Sequence, residues 1–147
     1  MIKIREMIGE DIKAVFALLK ELIDLLEGEV TISEEEISAI LEMKLNQKSN
    51  ILLIAVDSNK PVGMISGVVY QTLLYAQKSA LINELIITRD RRGEGIGLAL
   101  ICAMRDTAKG LGCVELEVGT ESRNLKAQEF YEKSGFDHSF RLYGCDL

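Results

Sequence analysis

The chain has 147 residues, 48% of them apolar and 27% charged, and a net charge of −6. Its length suits one domain, and its acidic balance argues against general nucleic-acid binding, where a basic face must meet the phosphates. No apolar run approaches the ~20 residues that span a membrane, and residues 1–5 carry no secretion-leader pattern.

Residues 1–5 predict a short strand. Apolar residues then recur at Ile12, Val15, Phe16, Leu19, Leu22, Ile23 and Leu26, the helical period, with Gly28 as a stop. Ser33 followed by Glu36 is a capping box that opens a second helix, whose apolar stripe is Ile37, Ile40, Leu41 and Leu45. Residues 51–56 predict a strand. Asp57-Ser58-Asn59-Lys60 is turn chemistry, so the chain returns antiparallel from Pro61, as a strand over residues 62–73. Residues 80–87 are apolar on both faces, as expected of a central strand. A helix follows over residues 95–109, ended by Gly110 and Gly112. Residues 113–118 predict a strand, and residues 124–134 a helix stopped at Gly135. The tail, residues 137–147, can supply a final strand. No linker, repeat or low-complexity tract interrupts the order β-α-α-β-β-β-α-β-α-β, which is a single α/β domain with a mixed sheet.

The three cysteines, Cys102, Cys113 and Cys145, show no metal-ligand spacing. An odd count without a leader suits reduced thiols in a cytoplasm. Cys102 and Cys113 lie in apolar runs and are expected to be small core residues. His138 is the single histidine; alone it builds no zinc site, and a structural role is expected.

Arg91-Arg92-Gly93-Glu94-Gly95-Ile96-Gly97 is the most informative stretch. Glycines at alternate positions let the backbone turn sharply and approach a ligand. A helix starting there aims unpaired N–H groups and the positive end of its dipole into the loop. Arg89, Arg91 and Arg92 add a basic cluster on an acidic chain. A phosphate or pyrophosphate is the natural guest, although a Gly-rich turn without a ligand, or a solvated basic loop, satisfies the same string. A dinucleotide fingerprint needs G-x-G-x-x-G, but its last position falls on Leu98 or Leu100, and no Gly-Lys-Ser/Thr triplet of a P-loop occurs. The loop also lies past the middle of the chain, not after the first strand of a βαβ unit.

Arg92, Gly95 and Gly97 form instead the string R-x-x-G-x-G. Residues 124–136 read N-x-x-A-x-x-F-Y-x-x-x-G-F, with Asn124, Ala127, Phe130, Tyr131, Gly135 and Phe136 at the defined positions. These strings, their order and separation, and the element order resemble the GNAT family of N-acetyltransferases. The likeness covers essentially the whole chain and is sharpest from Ile82 to Phe136. It implies acetyl-coenzyme A (acetyl-CoA) as cofactor, lying between two parallel strands that splay apart, residues 80–87 and 113–118. Backbone groups near Leu85 and Ile87 would bond the pantetheine arm and the thioester oxygen. The pyrophosphate would sit on Arg92, Gly93, Gly95, Ile96 and Gly97. The resemblance further implies direct transfer without a metal or an acyl-cysteine, and a homodimer as is frequent in the family.

Acetylation of an amine requires removal of a proton, because an alkylammonium with a pKa of ~10 has no lone pair. It also requires a stabilised oxyanion and a neutralised leaving thiolate. Glu84 interrupts an apolar strand, where charge is costly to bury, which makes it the candidate proton acceptor. The resemblance assigns this position to a base that often acts through water; a carboxylate capped by a neighbour, or facing a wet cleft, is the structural alternative. Tyr131 shares a helical face with Ala127, Phe130 and Ser134. Core packing accounts for an aromatic there, and the resemblance makes it the general acid. Asn124 is suited both to contact the pantetheine or phosphate region and to cap its own helix.

The acceptor is less legible. Glu27, Glu29, Glu34, Glu35 and Glu36 make the segment between the first two helices acidic. That charge attracts a cationic amine or, at Glu34 to Glu36, serves the helix dipole. Val62-Gly63-Met64-Ile65, the tyrosine segment and Ser139-Phe140-Arg141 look similar to the small-molecule branch that acetylates aminoalkylphosphonates, with the aminoglycoside and glucosamine-phosphate types near. Arg141 would then meet an anionic substrate group. The expected function is acetyl-CoA-dependent N-acetylation of a primary amine of a small molecule. The alternatives are acetylation of protein N-termini and a non-catalytic acyl-CoA-binding or sensing module on the same fold.

Overall fold

Ser58 and Asn59 adopt positive φ, 48° and 67°, the backbone that a two-residue hairpin turn requires. They join two antiparallel strands, Asn50–Asp57 and Lys60–Gln71. The structure, a computed structural model, describes residues 1–26 and 30–147. In chain order its elements are β1 (Ile2–Glu6), α1 (Ile12–Ile23), α2 (Glu34–Leu45), β2 (Asn50–Asp57), β3 (Lys60–Gln71), β4 (Lys78–Ile87), α3 (Ile96–Gly110), β5 (Cys113–Val118) and α4 (Leu125–Lys133). Single turns of 3-10 helix sit at Gly9–Asp11 and Arg89–Arg91.

One five-stranded sheet runs in the order β1-β2-β3-β4-β5. All neighbours are antiparallel except β4 and β5, which are parallel. Alternate residues of the central strands face two cores. Ile51, Leu53, Ile65 and Ala80 pack beneath Leu100, Ile101 and Met104 of α3. Leu52, Ile54, Met64 and Ile86 pack beneath Val15 and Leu18 of α1 and Leu41 of α2. Tyr70 Oη donates to Glu117 Oε2 at 2.7 Å, lashing β3 to β5 across β4, and this carboxylate pushes the phenol up to about 12.

From β1 to α4 the predicted elements therefore stand, with local departures. The Ser33–Glu36 capping box forms: Glu36 N–H donates to Ser33 Oγ at 3.1 Å, and Ser33 N–H to Glu36 Oε2 at 2.8 Å. Ile40 is 46% exposed, because it lies one residue, or about 100°, around the helix from buried Leu41. Cys102 is exposed rather than buried, while Cys113 is buried as expected. The run around Cys102 is apolar on more of α3 than the sheet covers, and the buried stripe falls on Leu100, Ile101, Met104 and Ala108. α1 closes at Ile23; Gly28, the expected stop, and Glu27 and Glu29 lie outside the described residues. β3 ends at Gln71, and Leu73 beyond it is fully exposed.

The tail forms no strand, so the last β of the predicted order is absent from the described residues. Phe140, Leu142 and Tyr143 are exposed there. Alternation makes a segment able to be a strand, but only a neighbouring ladder makes it one. His138 holds the start of the tail through Nε2 to Glu115 Oε1 of β5, at 2.9 Å. The Glu115 contact and then Asp137 push its imidazole pKa up.

Asp11 ties β1 to α1. Its carboxylate is 6% exposed; it accepts from Arg5 Nη1 at 2.7 Å, Arg5 Nη2 at 2.8 Å and Ile8 N–H at 2.9 Å. The Arg5 bonds, helped by Ile8 and opposed by burial, hold this carboxyl below the usual carboxylate range. A depressed carboxyl stabilises the fold above its unfolded pKa, and the contribution is lost as pH falls through the folded value. Asp11→Ala is expected to lower the unfolding free energy by about 2 kcal/mol at pH 7. Urea titrations should show that difference shrinking once the pH drops below about 4; a difference that persists in acid would contradict the account.

Candidate functional site

The site begins with a bulge. Across β3 and β4, Ser66 pairs with Glu84 but Gly67 pairs with Ile82, leaving Asn83 as an extra residue on β4. A bulge shifts the alternation of its strand and re-aims the side chains beyond it. Ala80 and Ile82 belong to the α3 core, and after Asn83 it is Leu85 and Ile87 that pack there. Ile86 enters the α1/α2 core, and Glu84, two residues before it, shares that face. In a regular strand Glu84 would project into the apolar core beneath α3. The bulge sets it beside Ser66 instead, whose hydroxyl donates to Glu84 Oε2. Gly67 permits the close strand contact here, since a Cβ would lie 2.8 Å from the Leu81 carbonyl.

Past the bulge β4 loses its second neighbour. The register with β5 ends at Ile82 and Val118, so residues 83–87 are unpaired on that edge among the described residues. Thr88 N–H donates to Val62 O of β3 at 2.9 Å. Peptide groups alternate direction along a strand, so those of Ile87 and Leu85 face the open edge. Arg92 Nε reaches the Ile87 carbonyl there, at 3.0 Å.

The glycines of the loop have two different physical reasons. Gly93 and Gly95 hold φ of +81° and +82°, and a Cβ on either would meet nothing within 4 Å. They serve the backbone bend and leave open space beside it. At Gly97 a Cβ would lie 3.1 Å from Phe130 Cζ, so this glycine lets α4 approach α3. Ala99 N–H makes the first intrahelical bond, to Gly95 O at 3.0 Å. The N–H groups of Ile96, Gly97 and Leu98 are thus the first-turn donors that an α-helix leaves without intrahelical acceptors. The Ile96 side chain is 3% exposed in the core, so its N–H is what it offers a ligand.

The basic cluster divides. Arg91 bonds Asp57 at 3.0 Å and Glu94 at 2.9 Å and is structural. Arg89 donates its backbone N–H to Glu21 Oε2 at 3.0 Å. Arg92 stands between two clefts. One, of about 380 Å³, is walled by Leu22, Leu25, Leu85, Ile86, Ile87, Arg92, Gly95, Gly97, Leu98 and Phe130. The other, of about 560 Å³, is walled by Glu21, Asp24, Arg89, Asp90 and Arg92.

The apolar cleft therefore brings together Leu85, Ile87, Arg92, Gly95 and Gly97 of the expected set, while Gly93, Ile96, Glu84, Tyr131 and Asn124 stand outside its walls. Tyr131 packs on the α3 side, its ring 5.5 Å from Phe130 and 5.6 Å from Phe136. Burial pushes its phenol up. Asn124 caps α4, with Oδ1 accepting from Ala127 N–H at 3.1 Å, which leaves Nδ2 for any ligand role. Leu22, Phe130 and Ser66 were not singled out as site residues from sequence. Ser66 had a visible signal, a hydroxyl inside the apolar stretch from Val62 to Val69.

A family model described as the acetyltransferase (GNAT) family matches residues 16–136. N-alpha-acetyltransferase 30 of Schizosaccharomyces pombe is 41% identical over 59 residues, 40% of this chain and 39% of that protein. An uncharacterized N-acetyltransferase of Methanocaldococcus jannaschii is 37% identical over 83 residues, 54% of this chain and 36% of that protein. The chain thus spans less than half the length of these curated relatives. A solved transcriptional regulator from Bacillus halodurans C-125 has the same fold, with a TM-score of 0.85 over 100% of both chains at 25% identity.

Proposed function

Because the chain belongs to the acetyltransferase (GNAT) family, we propose that it moves an acetyl group directly from acetyl-CoA to a primary amine of a small molecule. The observation that carries this proposal is the bulge at Asn83, which sets a carboxylate on one face of the sheet and opens the β4 edge beside it. The open-edge residues suit coenzyme A. Gly93 and Gly95 leave space above a bend, and Arg92 with the first N–H groups of α3 supplies donors for a diphosphate. The apolar cleft suits the methylenes of the pantetheine arm, and the peptide groups of Leu85 and Ile87 suit its amides. Asn124 Nδ2 adds a donor at the start of α4.

Bound there, acetyl-CoA supplies an activated thioester carbonyl. The N–H groups on the open edge stabilise negative charge on its oxygen. Glu84 Oε1, the oxygen that Ser66 does not hold, takes the proton of the acceptor ammonium, directly or through water. The freed amine forms a C–N bond to the thioester carbon as the C–S bond breaks; the Tyr131 hydroxyl gives its proton to the departing sulfur and takes one back from the new amide nitrogen. We place the reaction in the cytoplasm, where the thiols of Cys102, Cys113 and Cys145, all free, stay reduced.

CoA release measured across aminoalkylphosphonates, aminoglycosides, amino sugars, polyamines and N-terminal peptides tests the proposal. Turnover with a small amine supports it. Turnover with peptides alone would replace it by N-terminal acetylation, the alternative that the 41% identity to N-alpha-acetyltransferase 30 favours. Binding of acetyl-CoA without turnover of any amine would leave a sensing module.

Gly95→Ala is expected to weaken acetyl-CoA binding about tenfold in calorimetry, because a Cβ at positive φ strains the bend by about 1–2 kcal/mol. Gly110→Ala is the control, since Gly110 has no positive φ and a Cβ there meets nothing within 4 Å. Equal affinities in the two variants would remove the loop from the binding site.

A further inference from the structure

We propose that Ser66 is a positioning residue for Glu84, fixing one carboxylate oxygen so that the other faces the acceptor amine. The inference rests on Glu84 being the proton acceptor, as proposed above. Ser66 is 4% exposed, and a buried hydroxyl costs stability unless it is hydrogen-bonded. Its partner is Glu84 Oε2, and the two residues are a direct cross-strand pair produced by the bulge. Such pairs hold their Cβ atoms about 5 Å apart, within reach of a serine hydroxyl and a glutamate carboxylate.

A hydroxyl suits this task for a chemical reason. An arginine or lysine partner would hold the carboxylate tightly as the anion and make it a poor proton acceptor. A neutral hydroxyl orients the group without cancelling its charge. When Oε1 gains a proton, Oε2 becomes the carbonyl oxygen of the acid and still accepts from Ser66. The positioning bond therefore survives both halves of the proton transfer, although it is stronger to the anion.

The test needs no identified acceptor. In protein labelled with carbon-13 at the glutamate carboxyls, the Glu84 resonance is assigned by its loss in Glu84→Gln and recorded at one fixed pH in the parent, Ser66→Ala and Ser66→Thr. The resonance is expected to move in Ser66→Ala, where the hydrogen bond to the carboxylate is gone, and to return toward the parent in Ser66→Thr, which restores a hydroxyl. Thermal midpoints confirm that all three proteins are folded. An unchanged Glu84 resonance in Ser66→Ala, or equal behaviour of the alanine and threonine variants, overturns the inference. With an amine that turns over, Ser66→Ala should lower kcat about tenfold at an unchanged KM for acetyl-CoA, and Ser66→Thr should restore it. Full turnover in Glu84→Gln would remove the base itself. An impaired Glu84→Gln beside a parental Ser66→Ala would remove only the role of Ser66.

Discussion

Glu84→Gln is expected to lower kcat by at least about 100-fold, the scale of a positioned general base, while calorimetry shows acetyl-CoA bound as tightly as in the parent. The substitution keeps the size of the side chain and keeps an oxygen to accept from Ser66, whose hydroxyl contacts Glu84 Oε2. What it removes is the ability to take a proton. An acceptor amine at neutral pH is almost entirely alkylammonium, so without a base the reactive free amine is supplied only by its small equilibrium fraction. The loss should therefore shrink as the assay pH is raised toward 10, where the amine deprotonates unaided. Parental kcat in the variant at pH 7 would remove Glu84 from the mechanism; a weakened cofactor affinity would mean that it holds acetyl-CoA instead.

For Tyr131→Phe the expected result is a loss of about 100-fold in kcat with the fold intact. The phenyl ring retains the contacts with Phe130 and Phe136 at 5.5 and 5.6 Å, so packing and thermal midpoint should change little. The missing hydroxyl is the proposed proton donor. Burial pushes the Tyr131 phenol up, which keeps the donor form populated below the ordinary tyrosine value of about 10 and removes it only as pH rises through the raised value. No falling limb of kcat between pH 7 and 9 should therefore arise from Tyr131. Stopped-flow or steady-state rates across that range decide the matter. A variant with the parental rate would leave Tyr131 as a core aromatic, as its helical face alone suggests.

Much of the fold was legible because its signals are local. The apolar period from Ile12, the Ser33–Glu36 box, the turn at Ser58 and Asn59 and the glycines flanking α3 all act within a few residues. The loop at Gly93 and Gly95 was legible for the same reason, since positive φ is a property of single residues. The site was only partly legible. Leu85 and Ile87 could be placed on an open edge by a resemblance, but the edge exists because β5 pairs with β4 no further than Ile82. Gly97 looked like a third phosphate-loop glycine, yet its immediate neighbour is Phe130, 33 positions later in the chain. Cys102 looked buried because apolar composition does not say how much of a helix a sheet will cover.

The sequence by itself determined the element order from β1 to α4 and the positions where the backbone must bend, and it offered Glu84 and Tyr131 as the candidates for moving protons. Those properties reside in side-chain type and in neighbours a few positions away. Tertiary structure alone decided which face Glu84 occupies, that Ser66 meets it, that Arg91 is spent on Asp57 while Arg92 lines the clefts, and that the strand-capable tail stays unpaired. Each of these depends on the register of segments distant along the chain, and one extra residue at Asn83 is enough to exchange the two faces of a strand.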